Sequence, residues 1–149
     1  MGLSYFYLQN YALAEEYFKK AIALKLNLAE SNSMLGQIYV LKNDDRSALY
    51  YFESAARINP RLLDVQFSIG TISLRLGDYD RAIAAYQEAV HIDPQYAPAH
   101  YNLGTIYMER GNDAEALVHF EQALKNPSPQ IDLKAAEEFV ATLKERITR

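Results

Sequence analysis

Tyr101-Asn102-Leu103-Gly104-Thr105-Ile106-Tyr107 has two earlier counterparts in the chain, Leu35-Gly36-Gln37-Ile38-Tyr39 and Ile69-Gly70-Thr71-Ile72-Ser73. Each stands 34 residues from the next. Working outward, Gly2 extends the glycine series, and the same step links Ala14, Ala48, Ala82 and Ala116. It also links Phe18, Phe52, Tyr86 and Phe120, then Ala21, Ala55, Ala89 and Ala123. Tyr5, Tyr39 and Tyr107 share one phase, with Ser73 as the exception. Pro60 and Pro94 close two units, and Pro127 closes the third one residue early. So many positions in phase define an internal repeat, which must be recognised before any other fold argument.

Within a unit the pattern reads as two helices. Apolar residues recur three and four apart in Leu35, Ile38, Tyr39 and again in Ala48, Tyr51, Phe52, Ala55. The breaks fall at Asn43-Asp44, Gly77-Asp78 and Gly111-Asn112, residues that accept left-handed backbone after a helix end. Asp45, Asp80 and Asp113 stand near the next helix start, where a short acceptor can cap free amides. Asn59-Pro60 and Asp93-Pro94 end the second helix, and Pro98 falls in the first turn of the one that follows. A helical glycine costs about 1 kcal/mol relative to alanine, so its recurrence predicts close helix packing. The expected neighbour of Gly36 is the region of Ala48, with Phe52 and Tyr86 filling the larger gaps. Each unit then buries its apolar face only against its neighbours.

Composition bounds the chemistry. The 149 residues carry 15 Lys+Arg, 19 Asp+Glu, three His and no Cys, for a net charge of −4. Without cysteine there is no disulfide framework, thiol nucleophile or thiolate metal site. The acidic balance and the lack of a basic stripe count against nucleic acid as a partner. No apolar run reaches the roughly 18–20 residues of a membrane span, so direct membrane insertion is not expected. Met1–Phe6 has neither the cationic start of a signal peptide nor the hydroxyl residue of a myristoylation site. His91, His100 and His119 form no i, i+4 metal pair, and the adjacent carboxylates Glu15-Glu16, Asp44-Asp45 and Glu137-Glu138 do not share a helix face. The reading is therefore of a chain with no catalytic residue, no metal and no cofactor.

The repeat resembles the tetratricopeptide repeat (TPR) family, most closely at Tyr79-Asp80-Arg81-Ala82-Ile83 and Tyr101-Asn102-Leu103-Gly104. Asn32, Gln66 and His100 occupy the position where that family often has tryptophan. The resemblance implies an all-α fold, a right-handed superhelical solenoid of antiparallel helix pairs. The array covers 1–128, as a partial unit 1–28 and units 29–62, 63–96 and 97–128, followed by a capping helix within 129–149. Ala136, Phe139, Val140, Leu143 and Ile147 give that last helix one apolar stripe. At the other end the chain opens in the middle of a first helix. The expectation is that an upstream segment is missing or that something else covers Leu3, Phe6 and Tyr7. No compartment follows from the sequence.

The resemblance also implies a concave face. By family phase it carries Ser33, Gln37 and Val40, then Phe67, Thr71 and Leu74, then Tyr101, Thr105 and Met108. Interleaved aromatic, apolar and hydroxyl groups suit an extended peptide or a partner helix. Phe67 and Tyr101 would supply buried area, Asn102 backbone hydrogen bonds and Arg75 a contact to an acidic group. The family's clamp for chaperone C-termini uses Lys, Arg and Asn on this wall. Here Ser33, Phe67 and Tyr101 stand where its first lysine could fall and only Asn102 matches, so that ligand is not expected. The expected function is a non-catalytic scaffold that binds a protein or peptide partner in the groove. The alternative is a structural array that forms homo-oligomers through its N-terminal end, using Leu3, Phe6, Tyr7 and Tyr11.

Overall fold

The computed structural model describes residues 1–148. Among them the only regular structure is nine α-helices: α1 (Gly2–Tyr7), α2 (Tyr11–Ala23), α3 (Leu28–Leu41), α4 (Asp45–Ile58), α5 (Leu63–Arg75), α6 (Tyr79–Ile92), α7 (Ala97–Glu109), α8 (Asp113–Lys125) and α9 (Leu133–Ile147). They fall into two compact units, Met1–Asp78 and Tyr79–Arg149. Unit 1 holds α1 to α5 and unit 2 holds α6 to α9. Within each, every helix packs on the next in sequence, and the α3–α4 and α7–α8 pairs pack most extensively.

One turn recurs with the repeat. Gln9, Asn43, Gly77 and Gly111 have φ of 58°, 57°, 78° and 75°, each just past the end of a first helix. The amide after each donates back to a carbonyl five residues earlier: Asn10 to Tyr5, Asp44 to Tyr39, Asp78 to Ser73 and Asn112 to Tyr107, all at 2.9 Å. This is the Schellman closure, which satisfies free carbonyls and reverses the chain in two residues. The sequence marks three of these sites. Gln9 escapes notice because glutamine has no preference for left-handed backbone.

At α4 the cap lies one residue earlier than the expected Asp45, and at α8 Asn112 precedes the helix without a side-chain cap hydrogen bond. Asp44 precedes α4 and accepts from the Ser47 amide at 3.1 Å, and Asn10 does the same for Leu13 at 3.3 Å. Asp45 and Asp80 instead form ion pairs with Arg75 and Arg110, respectively. Each pair joins residues 30 apart, linking the start of a second helix to the end of the next first helix.

Phenylalanine is what the helical glycines admit. A Cβ on Gly36 would lie 2.8 Å from the Phe52 ring, and one on Gly104 would lie 3.0 Å from Phe120. Gly2 stands in the same relation to Phe18 at 3.0 Å. The expected partner of Gly36 was the neighbourhood of Ala48; the ring sixteen residues on reaches the gap first because it projects across it. Phe52, Tyr86 and Phe120 are essentially fully buried.

The family's tryptophan position is also turned inward. Asn32, Gln66 and His100 are all buried, and each hydrogen-bonds a backbone carbonyl. Asn32 Nδ2 donates to Leu28 at 2.7 Å, within its own helix. Gln66 Nε2 donates to Pro60 at 3.0 Å, and His100 Nε2 lies 3.1 Å from the carbonyl of Pro94. A carbonyl can only accept, so His100 carries its proton on Nε2. In both cases a polar side chain ties the first helix to the proline turn before it, satisfying a buried donor and acceptor together.

Candidate functional site

In unit 1 the first helices α3 and α5 carry the residues that the concave phase selects. Three surface cavities lie along them. One of about 470 Å³ is bounded by Glu30, Ser33, Met34 and Gln37 of α3, Leu62 of the proline turn, and Asp64 at the start of α5, among others. A second, of about 280 Å³, is lined by Phe6, Gln37, Val40, Leu41, Phe52 and Ser68. A third, of about 160 Å³, is lined by Val40, Phe67, Ser68, Thr71, Ile72 and Arg75. Gln37 borders the first two, while Val40 and Ser68 border the last two. Glu30, Asp64 and Ser68 bound these cavities without having been singled out as site residues. Glu30 and Asp64 stand one repeat apart, the signal that could have found them.

The structure thus brings Phe67, Thr71 and Arg75 together around one cavity; Leu74, half-buried on the same helix, does not line it. The Thr71 hydroxyl donates to the Phe67 carbonyl at 3.0 Å. Arg75 was assigned to an acidic ligand group, yet its guanidinium already pairs with Asp45. That pair is part-exposed, so it contributes little to stability and leaves the cation at the cavity rim.

The residues assigned on α7 belong to unit 2 and are used differently. Tyr101 meets Phe120 edge-on, with ring centroids 5.7 Å apart. Tyr101 and Met108 pack against the buried cluster of Ala116, Phe120, Ala136 and Leu143, alongside Phe139 and Val140 of α9. Burial, with the Asp132 carboxylate nearby, pushes the Tyr101 phenol above its ordinary pKa. The Thr105 hydroxyl donates to the Tyr101 carbonyl at 3.0 Å. Asn102 is half-buried, and its amide has no hydrogen-bond partner among the described residues. Tyr101 and Met108 are thus largely packing residues, and Asn102 keeps its polar edge free.

The four residues assigned to self-association, Leu3, Phe6 and Tyr7 on α1 and Tyr11 at the start of α2, also separate. Phe6 and Tyr11 pack against the cluster of Ala14, Phe18, Met34, Leu35 and Ile38, with their rings edge-on at 5.6 Å. Tyr7 is 78% exposed and Leu3 39% exposed.

Two polar constellations were not foreseen. In unit 1, Glu15 of α2 accepts from Lys19 at 2.6 Å and from the Tyr39 hydroxyl at 2.8 Å, and also from Lys42, just past the end of α3. Burial alone would raise the carboxyl, but these three donors outweigh it and hold the pKa down to about 2. In unit 2, His119 of α8 lies Nδ1 to Nδ1 at 3.0 Å from His100. Because His100 is protonated on Nε2, its Nδ1 accepts and His119 Nδ1–H donates. Burial, and then the neighbouring His100, lower His119 to about 4. Among the described residues no group of three His, Cys, Asp or Glu is placed to hold a metal ion. No helix there is long and apolar enough to cross a membrane.

Family models described as tetratricopeptide repeats match residues 1–62 and 97–126, and one described as TPR repeat matches 70–109. The chain belongs to the tetratricopeptide repeat family. Among solved structures, this TPR chain is similar to a crystal structure of MamA, with a TM-score of 0.77 and 26% identity over 84% of this chain and 73% of that one. It shares its fold with YrrB, described as "a TPR protein with an unusual peptide-binding site", at a TM-score of 0.74 and 24% identity over 97% of this chain and 71% of that one. No curated protein matches the sequence significantly. The fold is that of the all-α helical repeats, and the TPR scaffold is of the kind that mediates protein–protein interaction.

Proposed function

We propose that this TPR chain is a non-catalytic interaction module that holds a peptide or protein segment against its first-helix face. In unit 1 the candidate surface is the run of cavities along α3 and α5; unit 2, taken by itself, offers the side of α7 that carries Asn102 and Thr105. The observation that carries the reading is the match between the phase-selected residues Ser33, Gln37, Val40, Phe67 and Thr71 and the walls of those cavities. Apolar recesses with a few polar groups at their edge suit side chains of an extended segment. YrrB, which shares the fold, is described as having a peptide-binding site.

The test is selection of displayed random peptides on the purified chain, followed by fluorescence-polarisation titration on the parent and on Phe67→Ala. The expected result is micromolar binding that weakens about tenfold in the variant, as for truncation of a central aromatic anchor. Circular dichroism controls for folding. Failure to select any peptide, or affinity indifferent to Phe67, would remove this assignment.

A second reading, self-association through α1, draws on the exposure of Tyr7 and Leu3. Light scattering across a concentration series decides it: a constant monomer mass excludes it, and a mass that doubles and is reset by Tyr7→Ser supports it.

A further inference from the structure

We infer that the segment bound by unit 1 carries a lysine or arginine whose side chain enters the cavity between α3 and α5. This deepens the groove reading and rests on it.

The cavity walls are mainly apolar, through Ala29, Met34, Leu62, Leu63 and Val65, and its charged lining consists of Glu30 and Asp64 alone. Neither carboxylate takes part in an ion pair among the described residues, and both are exposed. Arg61, the nearest cation in sequence to Asp64, does not line the cavity. An apolar recess with two unpaired anions at its mouth is complementary to a long aliphatic stem ending in a cation. A carboxylate ligand would meet repulsion there, and a purely apolar side chain would leave both charges without a partner.

The neighbouring cavities set what flanks the cation. They are walled by Phe6, Val40, Phe52 and Phe67, with no acidic residue. Along α3 the first cavity centres near Ser33 and the third reaches Val40. Seven residues of helix span about 10 Å at 1.5 Å per residue. An extended peptide covers that distance in about three residues. The occupant is therefore an extended segment of a partner protein with a basic residue and a large apolar residue roughly three positions apart.

The peptide selection described above tests this directly, using the chain, a Glu30→Gln/Asp64→Asn variant and a Glu30→Lys/Asp64→Lys variant. Peptides selected on the parent should be enriched in Lys or Arg, about three positions from Leu, Ile, Phe or Met. The neutralised variant should bind those peptides about tenfold more weakly, with a shallower salt dependence. The charge-reversed variant should select acidic residues at the same position. Peptides that depend on Phe67 but show no basic preference, or whose affinity ignores the neutralised pair, overturn this inference and leave the groove reading standing. No selected peptides, or peptides indifferent to Phe67, overturn both.

Discussion

The two units solve one packing problem with different side chains. In unit 1, Tyr5 stacks on Tyr17 with centroids 5.2 Å apart, and 34 residues later Tyr39 stacks on Tyr51 at 5.3 Å. In unit 2 the same phases hold Tyr107 and His119, whose rings are 5.5 Å apart and nearly parallel, at 4°. Even the outer edge corresponds. Lys19 Nζ reaches the Tyr39 hydroxyl at 3.4 Å, and Gln87, two repeats later in phase, donates to the Tyr107 hydroxyl at 3.1 Å. The backbone of the repeat fixes a slot for two flat rings. It leaves open which polar groups surround them, so unit 1 closes the slot with an anion and unit 2 with a pair of histidines.

The largest effects should come from the glycine–phenylalanine contact, which the units share. Phe52→Ala and Phe120→Ala are each expected to cost about 3–5 kcal/mol, measured by urea unfolding. Gly36→Ala drives a methyl into a ring that cannot retreat and should cost about 1–2 kcal/mol after the helical gain of alanine is set against overpacking. Gly104→Ala should cost less, because its Cβ would sit 3.0 Å rather than 2.8 Å from the ring. In a Phe52→Ala background, Gly36→Ala should become neutral or stabilising. A penalty that persists without the ring would show that the glycine is needed for some other reason.

That contact illustrates what the sequence could and could not convey. Periodicity reports which residues share a phase, and so it marks the helix pairs and three of the four left-handed turns that follow first helices. It does not report how far a side chain reaches. Hence the glycine's neighbour was sought twelve residues on, at Ala48, when the longer Phe52 arrives from sixteen. For the same reason spacing does not show that Arg75, expected at an acidic ligand group, spans to Asp45, or that His100 and His119, which form no i, i+4 pair, meet across two helices. The Glu30 and Asp64 pair was legible as acidic residues one repeat apart. Only the cavity between them makes the spacing informative.

Next in size are the pH responses, which should separate the units. The fold favours ionised Glu15, held at about 2 against an ordinary 4.5. Its contribution is complete above about pH 4.5 and is lost as pH falls toward 2. His119 is the reverse in charge: the fold favours the neutral ring, at about 4 against 6.5. Between those values the unfolded chain binds a proton that the folded chain refuses, so stability rises with pH across that window. Chemical denaturation from pH 7 to 3 should therefore show a loss between 6.5 and 4 that His119→Phe flattens. That variant should itself cost about 1 kcal/mol, since His100 Nδ1 loses its donor. Glu15→Gln should leave that window unchanged, lower stability by about 1–2 kcal/mol at neutral pH and weaken only the more acidic decline. A His119→Phe curve parallel to the parent's would mean that the two imidazoles are not coupled as the geometry places them.

The smallest effect concerns the phase at which the ring pattern lapses. Ser73 stands in α5 where Tyr5, Tyr39 and Tyr107 stand in other repeats, and the partner phase holds Ala85 instead of a ring. Ser73 is fully buried, and its hydroxyl has no hydrogen-bond partner among the described residues. An unsatisfied buried hydroxyl opposes folding, and alanine is also the better helix former. Ser73→Ala should thus leave stability unchanged or raise it by up to about 1 kcal/mol, read as a shift in the urea midpoint at constant slope. The serine would then be replaceable by any residue of its size. If the variant is instead destabilised, the hydroxyl is bonded in solution, and this repeat keeps a polar requirement where the others keep an aromatic one.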